Sequence, residues 1–381
     1  MHSHSRRGFL ARMMGAAWSG ASLMERAAIV AAQARAQSKT PLPTLFEIEK
    51  VADGIYAAVA NGRALINCNA AIFENANDLL IVDAHSAPSA VYALVAQIRK
   101  EITQKPVRYV VATHLHGDHT QGLPAYRSIS PTAEIIASGK TRAMLAEFGA
   151  AKLKAAVDAV PGSIDNLSRR LSSAKTAEER AYYQEMIDQS RAFLEEMRNV
   201  PVELPNVTFD DQLTLHDKAH DLHLSFRGRG HTAGDIVVHC PSKKVIASGD
   251  LLHSFFPTIG DGYPSDWPGT LRSIETLEFQ KVIGGHGGVL QASSRAGQLR
   301  NYLEELLEIV ARAKQNGVPL DRLQQTVTPA SLKTLQGGYG DYLGSEVKKH
   351  DLRAHLNTQA EVIARGVREN ITAVYRNYER K

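Results

Sequence analysis

Along the 381-residue chain the spacing of apolar positions changes from two-residue to helical periods and back. From residue 45 to 83, short β-prone runs (GIYAAVA, CNAAIFE and DLLIVDA) are separated by Asn, Gly and Asp turns, the pattern of strands. SAVYALVAQIRKEI then reads as a helix and VRYVVAT as a buried strand. Strand, helix and strand in alternation predict an α/β architecture. Between 163 and 199 the period becomes helical, first through Leu167, Leu171 and Ala174, then through Tyr183, Met186, Ile187, Ser190, Leu194 and Met197. Thr176-Ala177-Glu178-Glu179 between them fits a capping box, so this stretch predicts a helical hairpin insert. A lid, an oligomer contact and a decoration are all compatible with it. Strands resume at VTF, LTL, LHLSFRG, DIVVHCP and KVIASGDLL, and a helix from about Trp267 to Glu278 leads into KVIGG. After Gln291 the chain reads as mostly helical, with Thr328-Pro329 at one helix start. The two halves, each strands plus helices, predict two αβ layers packed face to face over residues 45–290, followed by a helical C-terminal extension, 291–381.

The first 36 residues stand apart. Ser5-Arg6-Arg7-Gly8-Phe9-Leu10 resembles a twin-arginine export signal, an alanine-rich apolar stretch follows, and Ala34-Arg35-Ala36 has the small residues of a cleavage site. Export to the periplasm is the expectation; a basic tail is the alternative. This segment carries five Arg and one Glu, a balance of +4 that equals the +4 of the whole chain (44 Lys and Arg against 40 Asp and Glu). The remainder is near neutral and shows no basic stripe, which argues against nucleic acid as a partner. No run approaches the ~20 apolar residues of a membrane span, so no stable membrane anchor is expected. Two cysteines, Cys68 and Cys240, read as buried thiols, with a single bridge as the alternative. The composition leaves the oligomeric state open.

Chemistry concentrates at ATHLHGDHTQG, where three histidines and an aspartate fall within six positions. His114 and His116, two apart at a strand end, share a face, and Asp118 and His119 follow a glycine at which the chain can turn. Further donors each lie in a glycine-rich turn after a strand: His231 in GRGHTAGD, Asp250 in ASGDLL and His286 in IGGHGG. Five imidazoles and two carboxylates could hold two metal ions; the donor set suits zinc, with iron or manganese possible.

THLHGDH, GHTAGD, SGD and GGHG, in this order, resemble the metallo-β-lactamase superfamily of hydrolases, over about residues 45 to 290. The resemblance implies a four-layer αβ/βα sandwich with the metals at one edge. It implies His114, His116 and His231 as ligands of one zinc, Asp118, His119 and His286 as ligands of the other, and Asp250 as a bridging carboxylate. Asp83 in LLIVDAH matches an aspartate that supports the ligand histidines from behind. His253, three residues after Asp250, is a candidate substrate contact. The implied activity is hydrolysis of a small-molecule ester, thioester, lactone, lactam or sulfate ester by a hydroxide that two zinc ions activate, with Asp118 orienting the nucleophile. Diiron redox relatives have Glu in place of His116, and β-lactamases proper have Cys or Ser near position 250. Asp250 therefore leans toward thioesterase-, lactonase- or alkylsulfatase-like relatives in the exported zinc hydrolase group. The alternatives are an iron-dependent persulfide dioxygenase-like oxygenase and a non-catalytic metal-binding protein.

Overall fold

The structure, a computed structural model, describes residues 45–61, 68–291, 294–350 and 358–379. The expected export signal lies outside the described residues. Seven strands form the first sheet: β1 (Phe46–Ala52), β2 (Ile55–Ala60), β3 (Ala70–Glu74), β4 (Leu79–Val82), β5 (Val107–Val111), β6 (Glu134–Ser138) and β7 (Val207–Phe209). Sheet order follows sequence order. The first four strands pair antiparallel, and β4 to β7 pair parallel. The second sheet has the order β12-β11-β10-β9-β8, built from β8 (Gln212–Leu215), β9 (Leu222–Phe226), β10 (Ile236–Cys240), β11 (Val245–Gly249) and β12 (Lys281–Gly284). Only β11 and β12 run parallel in it.

The sandwich follows from period-2 alternation, which turns successive side chains to opposite faces. Ile55, Ala57, Phe73, Leu80 and Val82 of the first sheet meet Leu224, Ile236, Val238 and Ala247 of the second, forming the central layer. The alternate residues Ile72, Ile81 and Val110 face outward against helix α1 (Pro88–Glu101), which contributes Val91, Leu94 and Ile98. On the far side, Val237, Ile246 and Val282 face α6 (Trp267–Glu275) and α7 (Ser294–Gln315), with Trp267, Leu271, Tyr302 and Leu306 in contact. Helices α8 (Leu320–Thr326), α9 (Gly338–His350) and α10 (Gln359–Glu379) extend that outer layer. Strands buried on both faces explain why DLLIVDA reads as a continuous apolar run. Both cysteines are free and buried. No helix among the described residues is long and apolar enough to cross a membrane.

Two elements differ in extent from the sequence pattern. The first helix of the hairpin, α4 (Gly139–Ser173), starts directly after β6 and runs 35 residues, well before residue 163. Pro161 and Gly162 are strong helix-ending signals in sequence, and here the helix continues through them. Ser138 caps its start, accepting from the Thr141 N–H. The second leg, α5 (Ala177–Met197), begins at the capping box, with Glu179 N–H donating to Thr176 Oγ1 at 3.1 Å and Thr176 N–H to Glu179 at 3.2 Å. Thr328 caps only a 3-10 turn, Pro329–Ser331, rather than a long helix.

Candidate metal centre

The donors sit at one edge of the sandwich, beyond the ends of β5, β11 and β12 and ahead of β10. β5 ends at Val111, and the chain passes through His114 and His116 into the short helix α2 (Gly117–Thr120), which carries Asp118 and His119. His231 precedes β10, Asp250 follows β11 and His286 follows β12. All seven converge. Three groups, His114/His116/His231, His114/His119/Asp250 and Asp118/His119/His286, each present donor atoms within 4.8 Å of one another. Asp250 lies between the others, 3.4 Å from His231 Nε2 through Oδ2 and 3.5 Å from His119 Nε2 through Oδ1. His286 Nε2 lies 3.3 Å from Asp118 Oδ2 and 3.2 Å from Asp250 Oδ2. A glycine at position 285 is required for this approach, since a Cβ there would lie 2.2 Å from Asp250 Oδ1 and 2.7 Å from His119 Cε1.

The outer nitrogens of four imidazoles are fixed by oxygen acceptors. His119 Nδ1–H donates to Asp83 Oδ2 (2.8 Å), and His231 Nδ1–H to the Thr258 carbonyl (3.1 Å). His116 Nε2–H donates to Asp261 Oδ1 (3.1 Å), and His114 Nδ1–H to Thr113 Oγ1 (3.0 Å). Thr113 in turn donates to Asp83 (2.9 Å), so one buried carboxylate orients two histidines. A neutral ring that carries its proton on the outer nitrogen turns a lone pair inward, and burial favours the neutral form at His114 and His231. His231 Nε2 and His116 Nδ1 lie 2.9 Å apart; with both outer nitrogens protonated, two lone pairs would meet there, a contact that a shared cation resolves. His114 Nε2, His119 Nε2 and Asp250 Oδ1 are buried there without a hydrogen-bond partner. Buried polar atoms ordinarily find one. The donor set therefore fits metal.

Residues 64–286, more than half of the chain, match the metallo-beta-lactamase superfamily. The chain belongs to this superfamily. It is similar to Metallo-beta-lactamase type 2 of Elizabethkingia meningoseptica, 28% identical over 85 residues, which make up 21% of this chain and 34% of that protein. The chain thus spans about a third of the curated relative's length. Among solved structures it is similar to a metallo-beta-lactamase from Pontibacter korlensis, with a TM-score of 0.50 and 17% identity over 68% of this chain and 99% of that one. That likeness is one of fold.

Within this superfamily member, electrostatics sort the donors. Burial, helped by His119 and His116, pushes His114 well below the usual histidine range, and burial lowers His231 to about 4. Burial opposes charge at Asp118 and Asp250 too, but His119 and His286 outweigh it and hold both ionised. Against the same burial, Asp118, Asp83 and Asp250 raise His119, and Asp250 and Asp118 raise His286 to about 10. A neutral imidazole and an ionised carboxylate are the ligating forms, so cation binding at His119 and His286 displaces protons.

His253 packs edge-on against His286, ring centroids 5.6 Å apart, and its Nδ1 accepts from the Phe255 N–H at 3.1 Å. It does not line the large cavity beside the centre. Two residues to which the sequence pattern assigns no role adjoin the site. Asp261 links His116 to Lys152 of helix α4, accepting from Lys152 Nζ at 3.2 Å. Its signal in sequence was modest, an aspartate between Gly260 and Gly262. Thr113, the residue just before His114, carries the Asp83 contact to it.

Proposed function

We propose that the chain is a metal-dependent hydrolase that holds two zinc ions and cleaves a small-molecule substrate by addition of water. The observation that carries this reading is the convergence of seven donors on one edge, four of them imidazoles whose outer nitrogens are held by oxygen atoms. His114, His116 and His231 would hold one ion, Asp118, His119 and His286 the other, and Asp250 would lie between them. When bound, the ions supply Lewis acidity that brings the pKa of a water from 15.7 toward about 7 and offsets negative charge developing in the transition state. Asp118 lines the adjoining cavity together with His116, so it faces the substrate side. Its Oδ2 is engaged by His119 and His286, which leaves Oδ1 to orient the attacking water and accept its proton. Asp83 and Asp261 keep the ligand rings in the tautomer that binds.

Metal analysis of the full chain, run beside hydrolysis assays with ester, thioester, lactone, β-lactam and sulfate-ester substrates, tests this. Two zinc per chain with turnover of at least one substrate class is expected, and His116→Ala should lower bound zinc and abolish turnover. Full activity and unchanged metal content in that variant would overturn the assignment. A single iron per chain would favour the oxygenase. Two bound metals with no turnover of any substrate would favour a binding protein. We also propose export, resting on Arg6 and Arg7; retention of an Arg6→Lys, Arg7→Lys variant in the cytoplasm, with the unaltered chain in the periplasm, tests it.

A further inference from the structure

Beside the metal centre lies a cavity of about 1010 Å³, walled on one side by helices α4 and α5. Half of its lining residues are aliphatic or aromatic, among them Leu145, Leu153 and Val160 from α4, Met186 and Phe193 from α5, and Val202 beyond them, with polar side chains between. At its inner end it reaches Leu115, His116, Gly117 and Asp118, so the apolar space and two of the metal donors are continuous. The three carboxylate or ammonium groups on its wall are already matched. Lys152 Nζ pairs with Asp261, Glu203 pairs with Arg127 (2.9 Å), and Asp118 faces His119 and His286. A phosphorylated or otherwise strongly anionic ligand would find no uncommitted cation along this wall.

The hairpin that forms the wall is fastened to the body on both legs. On α5, Glu196 accepts from Ser89 N–H and Ser89 Oγ, both at 2.7 Å, and so closes the first turn of α1. On α4, Lys152 holds Asp261, which holds His116. The wall is therefore registered to the metal centre through a single carboxylate.

We propose that this cavity is an acyl-chain pocket and that the substrate is a carboxylic ester or thioester whose acyl part is an unbranched apolar chain of medium length. This rests on the hydrolase reading above and gives its substrate class. In the reaction a water oxygen bonds to the acyl carbon and the C–O or C–S bond breaks. The leaving alcohol or thiol takes one of the water's two protons, the other is released to solvent, and the fatty acid departs as its carboxylate. The chain lies between α4 and α5 while the acyl carbon sits at His116 and Asp118.

Each methylene moved from water into such a pocket is worth roughly fourfold in kcat/KM, if its burial is fully expressed in the transition state. The metal-loaded full chain, assayed with p-nitrophenyl esters from acetate to decanoate and with the matching thioesters of a small thiol, should show kcat/KM climbing at about that rate through the medium chains. The ester and thioester arms separate the two leaving groups. Leu153→Trp, which places a bulky ring in the cavity, should lower the decanoate-to-acetate ratio at least tenfold. A flat or falling chain-length profile would overturn the pocket while leaving the hydrolase intact. In parallel, calorimetric titration with 1-decanol, which has no scissile bond, reads the pocket without turnover. Binding that Leu153→Trp weakens at least tenfold is expected even if no ester is hydrolysed; absent binding, or equal binding by the variant, would refute the pocket.

Discussion

Replacing Asp83 with Asn removes one charge and almost no volume, and it tests how the histidines are held. Asp83 sits at the end of β4 with φ of 69°, a left-handed conformation that Asn adopts readily. It is buried, and its carboxylate accepts from Thr113 N–H (2.9 Å), Thr113 Oγ1 (2.9 and 3.1 Å) and His119 Nδ1 (2.8 Å). In Asp83→Asn the amide oxygen can keep the Thr113 N–H. The amide nitrogen then faces His119, and two N–H donors meet at a distance suited to donor and acceptor. His119 must move its proton to Nε2, losing its inward lone pair, or swing away. Loss of such an outer partner typically costs 10–100-fold in metal affinity, which is about 1.4–2.7 kcal/mol. A donor left unpaired in the interior costs ~1–3 kcal/mol of stability. Competition against a chromophoric chelator gives the zinc affinity, and thermal unfolding of the metal-free chain gives the stability. Asp83→Ala should lose more stability than Asp83→Asn, because it strands the Thr113 donors as well. Zinc affinity within twofold of the unaltered chain would refute the idea that Asp83 sets the His119 tautomer.

Two further perturbations bear on the same edge of the sandwich. Gly285→Ala places a methyl group against Asp250 Oδ1 and His119 Cε1, and should reduce bound zinc below two per chain while far-ultraviolet circular dichroism stays unchanged; two tightly bound zinc ions would show that the approach is not limiting. His85, buried with Nδ1 on the Cys68 carbonyl (3.0 Å), is lowered by burial from 6.5 to about 3. The unfolded chain takes up a proton at about pH 6.5 and the folded chain does not, so this group's contribution is present above that pH and lost as pH falls toward 3. Over the first 1.5 pH units the loss is about 2 kcal/mol. Denaturant unfolding of the metal-free chain at about pH 7 and about pH 5 should show a smaller drop for His85→Asn, which tolerates the +60° φ; equal drops would refute the burial argument.

The parts of this molecule legible in the sequence are those with a short physical period or a concentrated chemistry. Ile72, Ile81 and Val110 lie on the face opposite Phe73, Leu80 and Val82 because a strand offers no other choice, and this alternation produces the two layers of core on either side of the first sheet. The seven donors were legible for a different reason. A glycine adjoins five of the seven, His116, Asp118, His231, Asp250 and His286, where backbone must come close, as the crowding around position 285 shows, and glycine next to histidine or aspartate at successive strand ends leaves a visible mark. The outer contacts were less visible. Asp83 carried a motif, whereas the Thr258 carbonyl has no side-chain signature and Asp261 acts across a separation of 145 residues from His116.

The hairpin shows where local pattern gives way to packing. Pro161 and Gly162 each disfavour helix, yet the 35-residue helix runs through them. Proline at position 161 forfeits one backbone hydrogen bond and crowds the preceding turn, a cost of ~3 kcal/mol in an isolated helix. The fastening of both legs by Lys152–Asp261 and Glu196–Ser89, together with burial of Met186, Ile187 and Met197, acts against that cost from outside the segment. None of those partners lies near Pro161 in sequence, so a reading of the 163–199 period recovers the two legs but neither where the first begins nor what it faces. The same separation governs the cavity. Its walls come from residues between 86 and 203, and only their assembly around His116 and Asp118 brings scattered Leu, Val, Met and Phe side chains together beside the candidate metal centre. Asp261, bound to Lys152 of the hairpin on one side and to His116 on the other, ties the insert to the candidate metal centre.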